Sequence, residues 1–349
     1  MSTPAPSRLA VIGTVCFYMV AALSMVIANK WVLNATDVPL FFLFAQLIIA
    51  VLLFLVCHAV RLLTLPFDFS LELMKGLAPM IILNVLSLSF SNFTLKYVDA
   101  SFYQIARGLV LPFTVLTSFV FLSARPSVLV LLACSIVTFG FLIGVFLDGV
   151  HVSAMGIFFG VASSAITAVH AVVIKKAMKL LDNSALKVGW YNNLLSSLIV
   201  LALSVAVGEG PKTLQLLTSP SETGILATFT YGSIVTGVVG FLMSIASMLS
   251  IKVTSPITHM VSSAVRGVAA SVLGVWIFHD IITSGRAASI IVILGGSIYF
   301  TWVKHVESLN PPAGTTEKRR DEDEKGVGYK PVATEDLESG PSEQDQEKQ

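Results

Sequence analysis

Apolar residues in this chain fall in long runs rather than in strand-like alternation. Between positions 9 and 305, run follows run, separated by short clusters of charge, proline and asparagine. A helix needs about 20 mostly apolar residues to cross the hydrocarbon of a bilayer. The pattern therefore predicts ten membrane-spanning helices, at 9–28, 40–60, 76–95, 101–123, 127–147, 154–174, 188–208, 224–249, 255–278 and 285–303. An all-α membrane protein is the expected fold class. The first run is too long for a signal peptide and ends in Asn29-Lys30-Trp31 instead of a small-residue cleavage site, so it is expected to stay. Residues 1–8 form a short leading segment. After Pro311-Pro312 the chain turns to Glu317-Lys318-Arg319-Arg320-Asp321-Glu322-Asp323-Glu324 and an acidic end. With almost nothing to bury, the tail at 306–349 is expected to be disordered.

Composition strengthens this reading. Hydrophobic residues make up 55% and charged residues 12%, against about 25% charged in soluble domains. Of 21 acidic residues, 11 lie after Asn310, and the remainder cannot clothe a soluble surface of that size. A net charge of +1 gives no footprint for nucleic acid. Cys16, Cys57 and Cys134 each sit inside an apolar run, so no disulfide framework is expected. No nucleotide-hydrolysis loop, zinc-ligand spacing or intramembrane acidic pair is present in the sequence. That excludes a pump driven by ATP hydrolysis within this chain, and no cofactor is expected.

An even number of spans puts both termini on one side. With those termini cytosolic, ten loop lysines and arginines fall inside (Arg8, Arg61, Lys75, Arg125, Lys175, Lys176, Lys179, Lys187, Lys252 and Lys304) and four outside (Lys30, Lys96, Lys212 and Arg286). Basic residues concentrate on the cytosolic side, so this orientation is expected. It puts the Asn34-Ala35-Thr36 glycosylation sequon outside, whereas Asn92-Phe93-Thr94 lies too close to the membrane to be used.

The chain also repeats itself. Lys252 follows Lys96 by 156 positions, and Gly296 follows Gly140 by the same number. At an offset of 146, Lys30 pairs with Lys176 and Gln46 with Asn192. Five spans are odd, so equivalent helices run in opposite directions. The halves 9–147 and 154–305 thus form a 5+5 inverted-topology repeat, the usual basis of alternating access with cargo held near the midplane.

Several polar residues fall where lipid is expected. Arg107 follows Tyr103 inside the fourth run, and Arg266 lies mid-way along the ninth. An arginine at the bilayer centre costs roughly 3 kcal/mol or more, and no acid lies nearby in either helix. Two readings fit: a guanidinium fork that binds an anionic, phosphate-bearing cargo, or a side chain that snorkels outward. Trp190-Tyr191-Asn192-Asn193 opens the seventh run. Its amides either cap the helix or read a nucleobase by donor and acceptor together, with Tyr191 as a stacking face. His259 lies one to two turns before Arg266, in a run with Ser262, Ser263 and Gly267. His58 and His170 read as hydrogen-bonded packing residues.

Together these residues resemble the nucleotide-sugar transporters of the drug/metabolite transporter superfamily over about residues 9–305, most nearly the GDP-fucose transporter branch. The resemblance rests on Asn29-Lys30; on Leu95-Lys96-Tyr97-Val98 with Phe102-Tyr103 and Arg107; and on Tyr191-Asn192-Asn193. It continues in Lys252 with Thr254-Ser255-Pro256-Ile257-Thr258-His259, and in Gly295-Gly296-Ser297 with Tyr299 and Thr301-Trp302-Val303. It implies a lipid-embedded ten-helix fold in Golgi or endoplasmic reticulum membranes. It also implies exchange of a cytosolic nucleotide sugar for a lumenal nucleoside monophosphate, without catalysis. By the same resemblance, Tyr191, Asn192 and Asn193 contact the nucleotide, and Ser263 to Arg266 face sugar and phosphates. Lys30, Tyr103, Arg107, Lys252 and His259 complete the candidate set. Arg266 stands where the family carries lysine, and Trp190 where it carries phenylalanine. UDP-xylose is the second cargo, and a plastid-type exchange of phosphorylated sugars or a non-transporting scaffold are the other readings. A homodimer is left open.

Overall fold

The computed structural model describes residues 8–122, 125–148, 152–182, 184–219, 223–253, 256–279 and 282–309. Several side chains within them, including those at 244–253 and 256–266, lie outside the description. Of the tail expected to be disordered at 306–349, residues 306–309 are the end of a described helix, and the rest lies outside the described residues. Twelve helices occur among the described residues: α1 (Arg8–Ala35), α2 (Pro39–Ala59), α3 (Leu71–Tyr97), α4 (Ala100–Gly108), α5 (Val110–Leu122), α6 (Val128–Phe146), α7 (Ala154–Leu180), α8 (Ala185–Ala206), α9 (Gly210–Thr218), α10 (Thr223–Val253), α11 (Pro256–Phe278) and α12 (Ser284–Leu309). Among the described residues, eight stretches are long and apolar enough to cross a membrane, with Ala100–Phe121 counting as one; Met19–Ala35 and Gly267–Phe278 are shorter apolar helices. The protein is an all-α membrane protein.

The helices overrun the apolar runs that announce them. At 1.5 Å per residue, the 27 residues of α3 reach about 40 Å, beyond the roughly 30 Å hydrocarbon layer. Hydropathy senses the embedded part alone. Two features depart from the sequence pattern. The fourth run is divided at Leu109, because Pro112 has no N–H to give the Gly108 carbonyl four residues back. At the break the Leu109 amide donates three residues back, to the Ala106 carbonyl at 3.2 Å. The loop after α8 contains the short helix α9, entered through Pro211 in its first turn.

Polarity is turned inward. Large apolar side chains such as Leu52, Val56, Phe139, Leu198 and Trp276 are exposed, while Asn84, Ser91, Ser163 and Ser196 are buried. Buried hydroxyls and amides join helices: Ser87 to Thr167 at 2.6 Å, Ser91 to Ser163 at 2.8 Å, and Asn84 Nδ2 to Ser196 Oγ at 3.1 Å. Without water to compete, such bonds hold helices together in lipid. Asn92 of the second sequon is buried and donates to the Pro39 carbonyl at 3.3 Å.

The α6–α12 contact is close-packed through glycine. A Cβ on Gly140 would meet Ile293 at 2.8 Å, and one on Gly296 would meet Val137 at 2.7 Å. A Cβ on Gly285 would lie 2.0 Å from the Leu147 carbonyl oxygen. Since backbone cannot yield as a flexible side chain does, Gly285→Ala is expected to destabilise the fold by about 1–3 kcal/mol. A lowered thermal midpoint of the purified protein would register the change.

At one end of the bundle, charged side chains satisfy helix termini. Lys30 Nζ donates to the Leu95 and Val98 carbonyls at the end of α3, at 2.8 and 2.6 Å. Reciprocally, Lys96 donates to the Thr36 carbonyl after α1 at 2.5 Å and pairs with Asp37. That lysine's hydrogen bond and charge hold the Asp37 carboxyl below its ordinary range. The Glu209 carboxylate accepts from the Leu40 and Phe41 amides at the start of α2, at 3.0 and 2.8 Å. Burial raises its pKa, and those two bonds oppose the rise.

Arg286, counted from sequence as an outer loop charge, is instead 1% exposed. Its Nη1 donates to Asp99 Oδ2 at 2.9 Å and to Ser101 Oγ at 3.1 Å. Nε and Nη2 reach Asp148 Oδ2 at 2.9 and 2.7 Å. Thr283 Oγ1 donates to the other Asp148 oxygen at 2.7 Å. No local pattern announces this cluster, since its partners are 138 and 187 residues away.

Candidate functional site

A cavity of about 290 Å³ lies between α4, α5, α11 and α12, near the lower edge of the usual range for small-molecule sites. Its lining includes Gln104, Arg107, Thr114, Gly267, Ser271, Ser297 and Thr301. Arg107 supplies the charge among these described residues. It stands in the last turn of α4, beside the interruption that Pro112 imposes, and its side chain is exposed. Tyr103, one turn earlier and buried, accepts a hydrogen bond from Arg107 Nη1 at 2.9 Å. The guanidinium carbon lies 5.6 Å from the Tyr103 ring centroid, within cation–π reach. These contacts orient the guanidinium and leave its charge intact.

The hydroxyls of the lining are bonded within their own helices. Thr114 donates to Val110, Ser271 to Gly267, Ser297 to Ile293 and Thr301 to Ser297, at 2.7 to 3.1 Å. A hydroxyl that donates in this way keeps lone pairs for a ligand's O–H groups. A phosphate beside Arg107 and a sugar beside these oxygens would both find matching chemistry. Gln104 and Ser271 are absent from the candidate set read from the sequence, and Ser297 and Thr301 enter there only through the family resemblance. The i, i+4 pair Ser297 and Thr301 inside an apolar run was the available signal.

The candidate residues separate into groups. On α11, Arg266 immediately precedes Gly267, which lines the cavity. The side chains of Lys252, His259, Ser263 and Arg266 lie outside the described residues. Tyr191, Asn192 and Asn193 stand on α8, which packs on α2, α3 and α10 rather than against the cavity.

Tyr191, expected to offer a stacking face, is 0% exposed. Its hydroxyl donates to the Asp68 carbonyl at 2.6 Å, and Trp190 Nε1 donates to the Pro66 carbonyl at 2.9 Å. The aromatic pair thus anchors the loop between α2 and α3. Asn193 donates to the Gly189 carbonyl of its own helix at 2.7 Å. Asn192 Oδ1 is buried without a hydrogen-bond partner, an arrangement that costs free energy unless another state or a ligand satisfies it.

Lys30 is 6% exposed and is held by the α3 carbonyls. Lys30→Met is expected to lower stability by about 1–3 kcal/mol, because those carbonyls lose their donor. Thermal melting and cargo affinity would separate this role from direct cargo contact: the melt should shift and the affinity should hold.

The sequence profile of the triose-phosphate transporter family matches residues 9–300. The chain belongs to that family. It is a family of transporters, not of enzymes. Mouse GDP-fucose transporter 1 is 30% identical over 305 residues, covering 83% of this chain and 82% of the mouse protein. A Drosophila melanogaster protein named GDP-fucose transporter, Golgi, is 28% identical over 309 residues, covering 84% and 90%. A solved crystal structure matches with a TM-score of 0.51 at 16% identity, covering 86% of this chain and all of that one; this likeness concerns the fold. For a transporter, a cation in a cavity walled by several helices is a place to hold anionic cargo.

Proposed function

We propose that this protein is a Golgi antiporter that exchanges a cytosolic nucleotide sugar, GDP-fucose first and UDP-xylose second, for a lumenal nucleoside monophosphate. The observation that carries this reading is Arg107 at an interrupted helix, in a cavity walled by α4 and α5 from the first half and by α11 and α12 from the second. The relatives named as GDP-fucose transporters support the cargo class, and the Drosophila name supports the Golgi. Arg107 and Arg266 hold the phosphates, Tyr103 orients Arg107, and Ser263 and His259 are the candidates for the sugar. Asn192 and Asn193 read the base, for which the unpartnered Asn192 Oδ1 is the support. Lys30 holds the end of α3 and Tyr191 the loop between α2 and α3, and Lys252 completes the candidate set.

The transport domain is 9–305, built as ten spans in two inverted halves, with both termini cytosolic. The α6–α12 contact supports the repeat. Gly140 meets Ile293 while Gly296 meets Val137; Gly296 follows Gly140 by 156 positions, and Ile293 follows Val137 by the same number. The contact therefore maps onto itself when the halves are exchanged, as at a two-fold axis in the membrane plane.

Purified protein in liposomes tests the reading. Vesicles preloaded with GMP, UMP or buffer are offered labelled GDP-fucose, UDP-xylose, GDP-mannose, UDP-galactose and triose phosphate. GMP inside should raise GDP-fucose uptake several-fold over buffer. Uptake indifferent to preloading would overturn exchange, and uptake of triose phosphate alone would move the cargo to phosphorylated sugars.

A further inference from the structure

The Arg286 cluster bridges two groups of helices, and its two arms differ. On one side, α4 is fastened to α7: Ser164 Oγ donates to the Ala106 carbonyl at 2.8 Å, and a Cβ on Gly160 would meet Ala106 at 2.8 Å. On the other, α12 is fastened to α6 by Ser289 Oγ donating to the Gly140 carbonyl at 2.6 Å and by the Gly285–Leu147 approach. Asp148, just after α6, has a fully buried side chain that meets both Nε and Nη2 of Arg286. The Asp99 side chain, at the start of α4, is 42% exposed and takes Nη1 alone. Ser101 supplies the second α4 contact to that same nitrogen. Below these contacts, the seam between α4 and α12 is the cavity wall. There Gly108 faces Ile293, and Gly144 of α6 faces Ile105 of α4, apolar contacts with no directional bond to break.

We propose that the Arg286–Asp99 pair is a releasable latch that shuts the cavity at the end where α4 begins, lumenal in the topology above. The Asp148 arm keeps Arg286 on the α6–α12 body throughout, and parting of α4 from α12 at Asp99 opens the cavity to that side. The inference rests on the alternating-access reading, although its test uses no cargo. An ion pair with one half-exposed partner is suited to this use, since water can take over the solvation of Asp99 on opening, whereas Asp148 has no such outlet.

The test reads access. In a background with Cys16, Cys57 and Cys134 replaced by serine, Gln104→Cys places a thiol in the cavity one turn below Ser101. A membrane-impermeant maleimide is applied to sealed vesicles from the Asp99 side. Adding Asp99→Asn should raise the labelling rate about tenfold, the effect of about 1.4 kcal/mol on a closed–open equilibrium. An unchanged rate in protein that melts normally overturns the latch. If Asp99→Asn does not fold, Ser101→Ala carries the same test through the other Nη1 contact: a smaller rise is expected, and no rise overturns the proposal. Failed exchange in liposomes with a raised labelling rate would overturn the antiport reading alone.

Discussion

Exchange by the Arg266→Ala and Arg107→Ala proteins is expected to fall to background at low cargo concentration, with folding and membrane delivery intact. Each guanidinium is assigned to cargo phosphate, and a hydrogen bond to a charged group contributes about 1.5–3 kcal/mol. Loss of one corresponds to roughly tenfold to more than a hundredfold in affinity. Arg107 is the more readily isolated of the two, because its side chain lines the cavity and bonds to Tyr103. Lysine at either position should restore part of the activity, since it keeps the charge and loses the planar fork. Initial rates of GMP-driven uptake at subsaturating cargo, compared with binding to purified protein, make the measurement. Uptake at the parental rate by either alanine protein would remove that residue from the cargo site.

Arg286→Ala should cost the fold itself. The substitution takes the guanidinium from an Asp148 carboxylate at 0% exposure, and breaking a buried pair from one side costs about 3–5 kcal/mol. Thr283 still donates to one Asp148 oxygen, but a neutral hydrogen bond does not replace a guanidinium. A large fall in the thermal midpoint, or loss of monodisperse protein in detergent, is the expected result. Adding Asp148→Leu to Arg286→Leu should recover much of the loss, because apolar residues can replace a buried ion pair at little net cost. A double variant no more stable than Arg286→Ala would show that the cluster's worth lies in its packing and not in its charges.

The sequence alone determined the all-α membrane class and the approximate place of the helices. A bilayer imposes one simple demand, a run of apolar residues of sufficient length, and that demand is local. It also brought Arg107 forward, because a charge in an apolar run is costly wherever the chain folds. Other features depended on residues far apart in the chain. The break at Leu109 had its signal in Pro112, but hydropathy does not register a missing N–H. Arg286 looked like a loop charge until Asp99 and Asp148 closed around it. Lys30 looked like a candidate for cargo until the end of α3 took its ammonium group. Tyr191 looked like a stacking platform until the α2–α3 loop took its hydroxyl. Apolar burial is written into composition and run length, but the partner of a polar group is set by which helix ends arrive beside it. Only the tertiary structure decided which of the chain's scarce charges hold the bundle together and which faces the cavity.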